Sequence, residues 1–329
     1  MIGLQKRDIK INLACYLIRF RKKSARRGDY LPLNSVLPNG FLNFMKEFID
    51  YVSIETHESI DKERIFDLEH VDPSNLSSGI ISGFFSKGLR GKGTKIKKKK
   101  GRKAIIVDEI DPSKFTSDFY FFLFGIPLAI PETKAGVFMA QSYKNYGYKE
   151  IFEEAFKKFV SIKLGESITG EISILTNPVL FKRTLKESGF KKLRYRKHSL
   201  PKYLDNVIDN KINNDKDRKY YDIELVISAK RQIAGVDINK KLERVVDENT
   251  SFLELAPIDG FDFDEVYADV VVGKYRRTVN ISNPNRFGAV YDISKNVTFE
   301  EDGQPKFDSI KKIATDILVD DILNNVDFQ

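Results

Sequence analysis

A single cysteine and three histidines in 329 residues leave little material for thiol or metal chemistry. One cysteine excludes an internal disulfide framework and any multi-cysteine zinc or iron–sulfur site, and it fits a reducing compartment. Cys15 sits in an apolar run and reads as a small buried side chain. His57, His70 and His198 have polar neighbours and no serine-in-glycine-turn or reactive-cysteine context, so no nucleophile arrangement is legible. Long apolar runs are missing too. No stretch approaches the roughly 18 to 20 residues needed to cross a bilayer, and the opening MIGLQKRDIK lacks the apolar core of a signal peptide. These absences predict a cytoplasmic protein without a membrane span.

What is present is ample for a core: 41% hydrophobic residues, 25 Phe and 14 Tyr, against 31% charged residues. A disordered chain has too few apolar groups to offset the entropy of folding, and this composition does not fit one. The length suits two ordinary domains.

The charge is unevenly placed. The net charge is +8, yet the segment Lys87 to Lys103, KGLRGKGTKIKKKKGRK, alone holds ten basic residues and no acid: Lys87, Arg90, Lys92, Lys95, Lys97, Lys98, Lys99, Lys100, Arg102 and Lys103. The rest of the chain is close to neutral. Like-charge repulsion and the glycines Gly88, Gly91, Gly93 and Gly101 predict a loop that is mobile when free. Two further clusters are basic. Arg19, Arg21, Lys22, Lys23, Arg26 and Arg27 form one, and Lys182 to Lys202, nine bases against Glu187, forms the other. Residues 292–329 are acidic, with nine acids and four bases. If the three basic clusters share a face, that face would displace counterions from a phosphate backbone, the main sequence-independent source of nucleic-acid affinity.

Periodicity predicts a mixed α+β chain with largely antiparallel sheets. Ile9 to Phe20 reads as a strand, and Phe41, Phe44, Met45, Phe48, Ile49 and Val52 recur at helical spacing. Arg64 to Val71, Gly79 to Phe85 and Ala104 to Ile110 read as short strands, the basic loop joining the last two. Phe119 to Ile126 and Lys134 to Gln141 are expected to pair at the centre of the first sheet, with a helix over Tyr148 to Lys163 packed on it. Ile172 to Leu175, a helix Pro178 to Glu187 and a strand Lys192 to Lys197 then read as a β-α-β unit. The polar, Asn- and Asp-rich stretch beyond Leu200 sets the boundaries: a first domain over 1–200, a linker over 201–219 and a second domain over 220–329. In the second, Tyr221 to Ala229, Ser251 to Leu255, Val266 to Val272 and Tyr275 to Ile281 are strand candidates, with a short helix near Lys240 to Val246. A tight turn at Gly273 and Lys274 joins the last two strands. Asp308 or Ser309 would cap a closing helix that carries Ile310, Ile313, Ile317, Leu318 and Ile322.

Three constellations carry possible chemistry. Gly88-Leu-Arg-Gly-Lys-Gly93-Thr94-Lys95 has the residue types of a phosphate-binding P-loop, but the lysine-hydroxyl order is reversed. Arg194, Arg196 and His198 would share one face of a strand, with Tyr195 and Lys197 on the other. That array could track phosphates and stack a base, or it could be an edge strand guarded by charge. A metal-dependent nuclease wants an acid followed by an acid-x-lysine pair holding Mg²⁺. Glu132-Thr-Lys134 fits the pair and Asp111 or Asp118 the earlier acid, although Pro127 and Pro131 make that stretch a loop. Asp67, Glu69, His70 and Asp72 split between two faces of a strand.

The element order from Phe119 to Lys202, ending KLRYRKHSLPKYL, resembles uncharacterised bacterial proteins encoded beside anti-phage defence genes. That resemblance implies a cytosolic defence component acting on or with nucleic acid and partner proteins, and it carries no catalytic residue with it. The residues themselves favour a nucleic-acid-binding protein without cofactor. The lysine-rich segment, with Arg194, Arg196 and Lys197, would be the contact surface, and a protein partner or second copy would dock on the second half. The alternatives are a Mg²⁺-dependent nuclease built on Glu132, Lys134 and Asp118, and a non-enzymatic interaction subunit.

Overall fold

An alternating strand buried on both faces needs a layer on each side of its sheet, and the first strand has that pattern. The computed structural model describes residues 10–72, 74, 76–90, 94–100, 103–111, 114–127, 130, 132–144, 146–176, 189–199, 204, 221–233, 244, 248, 258, 261–272, 275–282, 288–301, 303–324, 326 and 328. Strand β1 (Ile11–Lys22) buries Ile11, Leu13 and Cys15 at odd positions and Ile18 and Phe20 at even ones. It lies inside an antiparallel sheet, pairing with β8 (Ala135–Tyr143) along one edge. Along the other edge it pairs with β9 (Ile168–Ile174) and β14 (Val290–Asp292). From β8 the sheet continues through β7 (Phe115–Gly125), β4 (Ile80–Arg90) and β3 (Arg64–Asp72) to the short β2 (His57–Glu58).

One face is covered by α2 (Phe41–Ile54) and α3 (Lys149–Leu164), while the four-residue α1 (Leu33–Val36) precedes them. α3 buries Ile151, Phe152, Ala155, Phe156, Phe159 and Val160, the apolar stripe that a period of 3.6 demands. Phe20 meets Phe44 of α2 edge-on at 5.6 Å, and Phe138 of β8 stacks on Phe152 at 4.3 Å. Gly136 allows this approach: a Cβ there would lie 2.1 Å from the Phe41 ring. The even-odd alternation of strands sends Phe84 and Phe121 to the opposite face, where they meet Phe307 of α4 (Phe307–Asp316) at 5.5 and 6.0 Å. A π-helical continuation, Ile317–Leu323, completes that cover and buries Leu318 and Ile322. Lys311 of α4 bonds Asp72 at 2.7 Å, and this bond with those from Ser74 holds the carboxyl at about 2, below its usual range.

A second, four-stranded antiparallel sheet runs β11 (Ile223–Ile233), β10 (Gly189–Lys197), β12 (Glu265–Val272), β13 (Tyr275–Asn280). It buries Leu193, Tyr195, Val266 and Ala268. A two-stranded ribbon, β5 (Thr94–Lys100) with β6 (Lys103–Ile110), completes the strands. No helix among the described residues is long and apolar enough to cross a membrane.

The α+β class with antiparallel sheets is as expected, but the division of the chain is not. Two compact units are formed by residues 1–175 with 289–329, and by 176–288. The expected cut at 201–219 therefore falls inside the second unit, because β10 before it pairs with β11 and β12 after it. The expected second domain 220–329 loses its last part, since β14 hydrogen-bonds to β1. The β-α-β reading fails as well: β9 belongs to the first sheet and β10 to the second, and the helix 178–187 lies outside the described residues. The strand 251–255 lies outside them too, as does the helix 240–246 apart from Arg244. The closing helix begins at Phe307 without a side-chain cap, and the hydroxyl of Ser309 instead accepts the Thr298 N–H.

Candidate nucleic-acid interface

Where it is described, the lysine-rich segment is strand and not the expected loop: Lys87 to Arg90 end β4, Thr94 to Lys100 form β5 and Lys103 opens β6. In chain order it lies between β4 and β7, whose own pairing reaches Arg90–Phe115, so its root is at that end of the sheet. Beyond the root, β5 and β6 pair from Thr94–Ile110 to Lys100–Lys103. Lysines have weak strand propensity, but β6 supplies the β-branched Ile106 and Ile105 opposite Lys97 and Lys98. The register shifts between Ile96 and Lys97, and Ile96, Ile106 and Val107 are exposed. Near the root Lys95 faces Glu109 and Ile96 faces Asp108, whereas Lys97, Lys98, Lys99 and Lys100 face Ile106, Ile105, Ala104 and Lys103. The distal half of the ribbon thus has no acid at any opposing register position. Lys92 and Arg102 lie outside the described residues.

At the root, two expected contact residues are already engaged. Lys87 donates to the Gly147 carbonyl at 2.6 Å, and burial, with Arg64 nearby, lowers its pKa. Arg90 donates to the Lys62 carbonyl at 3.0 Å and lies over the Phe115 ring at 5.1 Å. Gly88 is a strand residue of β4, where a Cβ would meet Ile65 at 2.6 Å. It is not part of a P-loop.

The cluster around Arg194 is neutralised within its own sheet. β10 is an interior strand, and so not the charge-guarded edge that its sequence allowed. Arg194 bonds the buried Asp269 at 2.8 Å and approaches Glu224 at 3.8 Å. Lys197 pairs with Asp262 at 3.0 Å, and Arg196 lies over the Tyr267 ring at 5.6 Å. Three expected phosphate contacts are thereby occupied by strand neighbours.

The imidazole of His198 sits between Glu265, 3.1 Å from Nε2, and Asp222, 3.4 Å from Nδ1. The hydrogen bond to Glu265, and then the one to Asp222, raises its pKa above the ordinary histidine value. A raised folded pKa means that this interaction stabilises fully below about pH 6.5, the unfolded value, and is lost as pH rises through the folded one. An NMR titration should place His198 above the ordinary histidine value, and Glu265→Gln should bring it down. A His198 midpoint that does not respond to that substitution would contradict the pairing.

The nuclease constellation is not assembled. Asp118 lies near the start of β7, opposite Lys87, while Glu132 and Lys134 follow the far end of that strand at Gly125. Seven strand steps separate Asp118 from Gly125, roughly 23 Å at about 3.3 Å each. Asp111 precedes β7, before the Asp118 end of that strand. The Glu132–Lys134 turn is tied down by structural bonds: the Lys134 N–H donates to the Phe328 carbonyl at 2.8 Å, and the buried Thr133 hydroxyl bonds the Ala135 and Phe328 carbonyls. Among the described residues no group of three or more His, Cys, Asp or Glu is placed to hold a metal ion. Cys15 is fully buried, which pushes its thiol pKa up, as befits a packing residue.

Nor do the first two basic clusters converge. Arg19 pairs with Ala135 at one end of the sheet, and Ile11 with Tyr143 at the other, on the side of the ribbon root. Arg19–Lys22 therefore lies at the opposite end of β1. Lys23 is paired with Glu166 at 2.8 Å, and Arg19 lies over Tyr30 at 4.9 Å.

No protein-family model matches the chain, and no curated protein matches it in sequence.

Proposed function

We propose that this protein binds nucleic acid through the phosphate backbone, using the distal half of the β5–β6 ribbon. The observation that carries the reading is the register of that ribbon. Lys97 to Lys100 are opposed in register by apolar or basic positions, whereas Arg19, Lys23, Arg194, Arg196 and Lys197 of the other basic clusters have an acid or an aromatic ring against them. Four successive strand positions alternate between the two faces, so lysine positions occur on both sides. A two-stranded ribbon is also narrow enough to enter a nucleic-acid groove. Affinity from such contacts is insensitive to sequence and falls with salt. The resemblance of residues 119–202 to proteins encoded beside defence genes extends the proposal to a role in anti-phage defence.

Fluorescence anisotropy with labelled 20-nucleotide strands, at salt concentrations from about 50 to 200 mM, tests this. Binding should appear at low salt for unrelated sequences, and log K should fall linearly with log salt. Failure to bind DNA and RNA alike at the lowest salt would overturn the proposal.

A further inference from the structure

The sheet end that carries the ribbon also carries a hollow of about 290 Å³. Asp118 and Tyr120 of β7, Tyr143 at the end of β8, Tyr146 beyond it, and Gly303 with Gln304 line it. Asp118 lies three residues from Phe115, about 10 Å below the root of the ribbon. The volume is at the lower end for ligand cavities, which run from about 300 to 1,000 Å³, and leaves room for one heteroaromatic ring system.

The wall is aromatic and held in place before any ligand arrives. Tyr120 and Tyr143 have ring centroids 5.5 Å apart. The Tyr143 hydroxyl donates to Gln304 Oε1 at 2.9 Å. Tyr146 is 73% exposed. Its backbone exchanges hydrogen bonds with Tyr143 at 2.8 and 2.9 Å, the Lys144 N–H donates to the Lys10 carbonyl, and Asn12 Nδ2 donates to the Lys144 carbonyl. On its other side Lys87 clamps the Gly147 carbonyl. An exposed ring carried on a tied-down turn beside a cavity can serve as a stacking platform, and stacking on one such ring contributes about 1–3 kcal/mol per base.

The charge in the hollow selects which part of a nucleotide enters. Asp118 is exposed there and is the charged group in the lining, while Lys87, opposite it in register, donates to the Gly147 carbonyl. A carboxylate repels phosphate and accepts from amino groups such as cytosine N4. Phosphates belong on the ribbon and a base belongs in the hollow.

We propose that the hollow bounded by Asp118, Tyr120, Tyr143 and Tyr146 is a subsite for one unpaired nucleobase bearing an exocyclic amine, presented by a single strand whose backbone lies on the ribbon. The strand path rests on the nucleic-acid reading above; the subsite can be measured without it. Labelled dC20, dT20 and a blunt 20-base-pair duplex are titrated into the full chain. The protein should prefer dC20 over dT20 and over the duplex by about tenfold, the worth of one good base contact. Tyr146→Ala should weaken single-strand binding about tenfold, and Asp118→Asn should equalise dC20 and dT20. Both side chains are exposed, so thermal unfolding should be unchanged.

Equal affinity of the unsubstituted protein for dC20 and dT20, or a Tyr146→Ala variant that binds dC20 as before, overturns the subsite while leaving the ribbon standing. Saturation-transfer NMR with free cytidine reads the hollow alone. Transfer that disappears in Tyr146→Ala supports the subsite even if the ribbon proves inert. Absence of transfer to the unsubstituted protein overturns it.

Discussion

Replacing Lys97, Lys98, Lys99 and Lys100 with serine should reduce the salt dependence of polynucleotide binding by about 3 to 4 in the slope of log K against log salt. Each neutralised phosphate contributes about 0.9 to that slope on a duplex and about 0.7 on a single strand. At low salt the same loss of counterion release should weaken binding by at least about 100-fold, equally for unrelated sequences. Serine keeps the ribbon short-chained and polar, and the partner strand retains Ile105, Ile106 and Val107. The fold itself should be unaffected, because β4 and β7 are paired over eleven positions before the ribbon begins. As a comparison, Arg194→Ser should leave the salt slope unchanged, since its guanidinium is bonded to Asp269 and Glu224 within the sheet. A four-serine variant with the parent slope would locate the affinity elsewhere on the molecule. An Arg194→Ser variant with a lower slope would restore the strand Lys192 to Lys197 to the interface.

What the sequence made legible follows from short-range physics. The six buried positions of α3 and the pairing of β7 with β8 are written in local periodicity, 3.6 for the helix and near-continuous apolar runs for the strands. The closing helix was legible for the same reason. Its destination was not. Residues 289–329 return to the first sheet through the pairing of Ala14 with Val290, and nothing local in either strand marks a partner so far along the chain. The polar stretch at 201–219 is a composition shift, which signals exposure and need not signal a domain boundary. The basic strand β10 misleads in a similar way. Its run of charges looks free in sequence because the acids that bind it are distant, Asp269 lying 75 positions from Arg194. The ribbon was legible as charge but not as structure, since lysine repulsion argues for a loop and only the pairing with β6 overcomes it. The tyrosine hollow had a faint signal, Tyr143 and Tyr146 closely spaced after a strand, but its other wall comes from Asp118, Tyr120 and Gln304.

The ribbon and the hollow depend on an aromatic layer that holds β4, β7 and β8 in place, and Phe152 is its centre. This side chain is fully buried on α3. Its ring lies within 4.3 to 6.2 Å of those of Phe48, Phe66, Phe85, Phe124, Phe138, Tyr148 and Phe156, which belong to both helices and to strands β3, β4, β7 and β8. Truncating a buried phenylalanine to alanine costs the transfer free energy of the ring plus the cavity it leaves, about 3–5 kcal/mol. Surrounding rings are stiff and confined by one another, so the void cannot close by small rotations, which puts Phe152→Ala at the upper part of that range. The unfolding midpoint of the first unit should fall by roughly 10 °C or more. Phe152→Leu, which keeps most of the volume, should lose less than half as much. The contrast separates packing from backbone effects, because leucine and alanine are both good helix formers. Urea and thermal denaturation of the three proteins measure it. A loss below about 1 kcal/mol for Phe152→Ala would mean that the layer collapses around the gap, and that the sheet end bearing the ribbon is positioned by its hydrogen-bond ladder and not by the aromatic core.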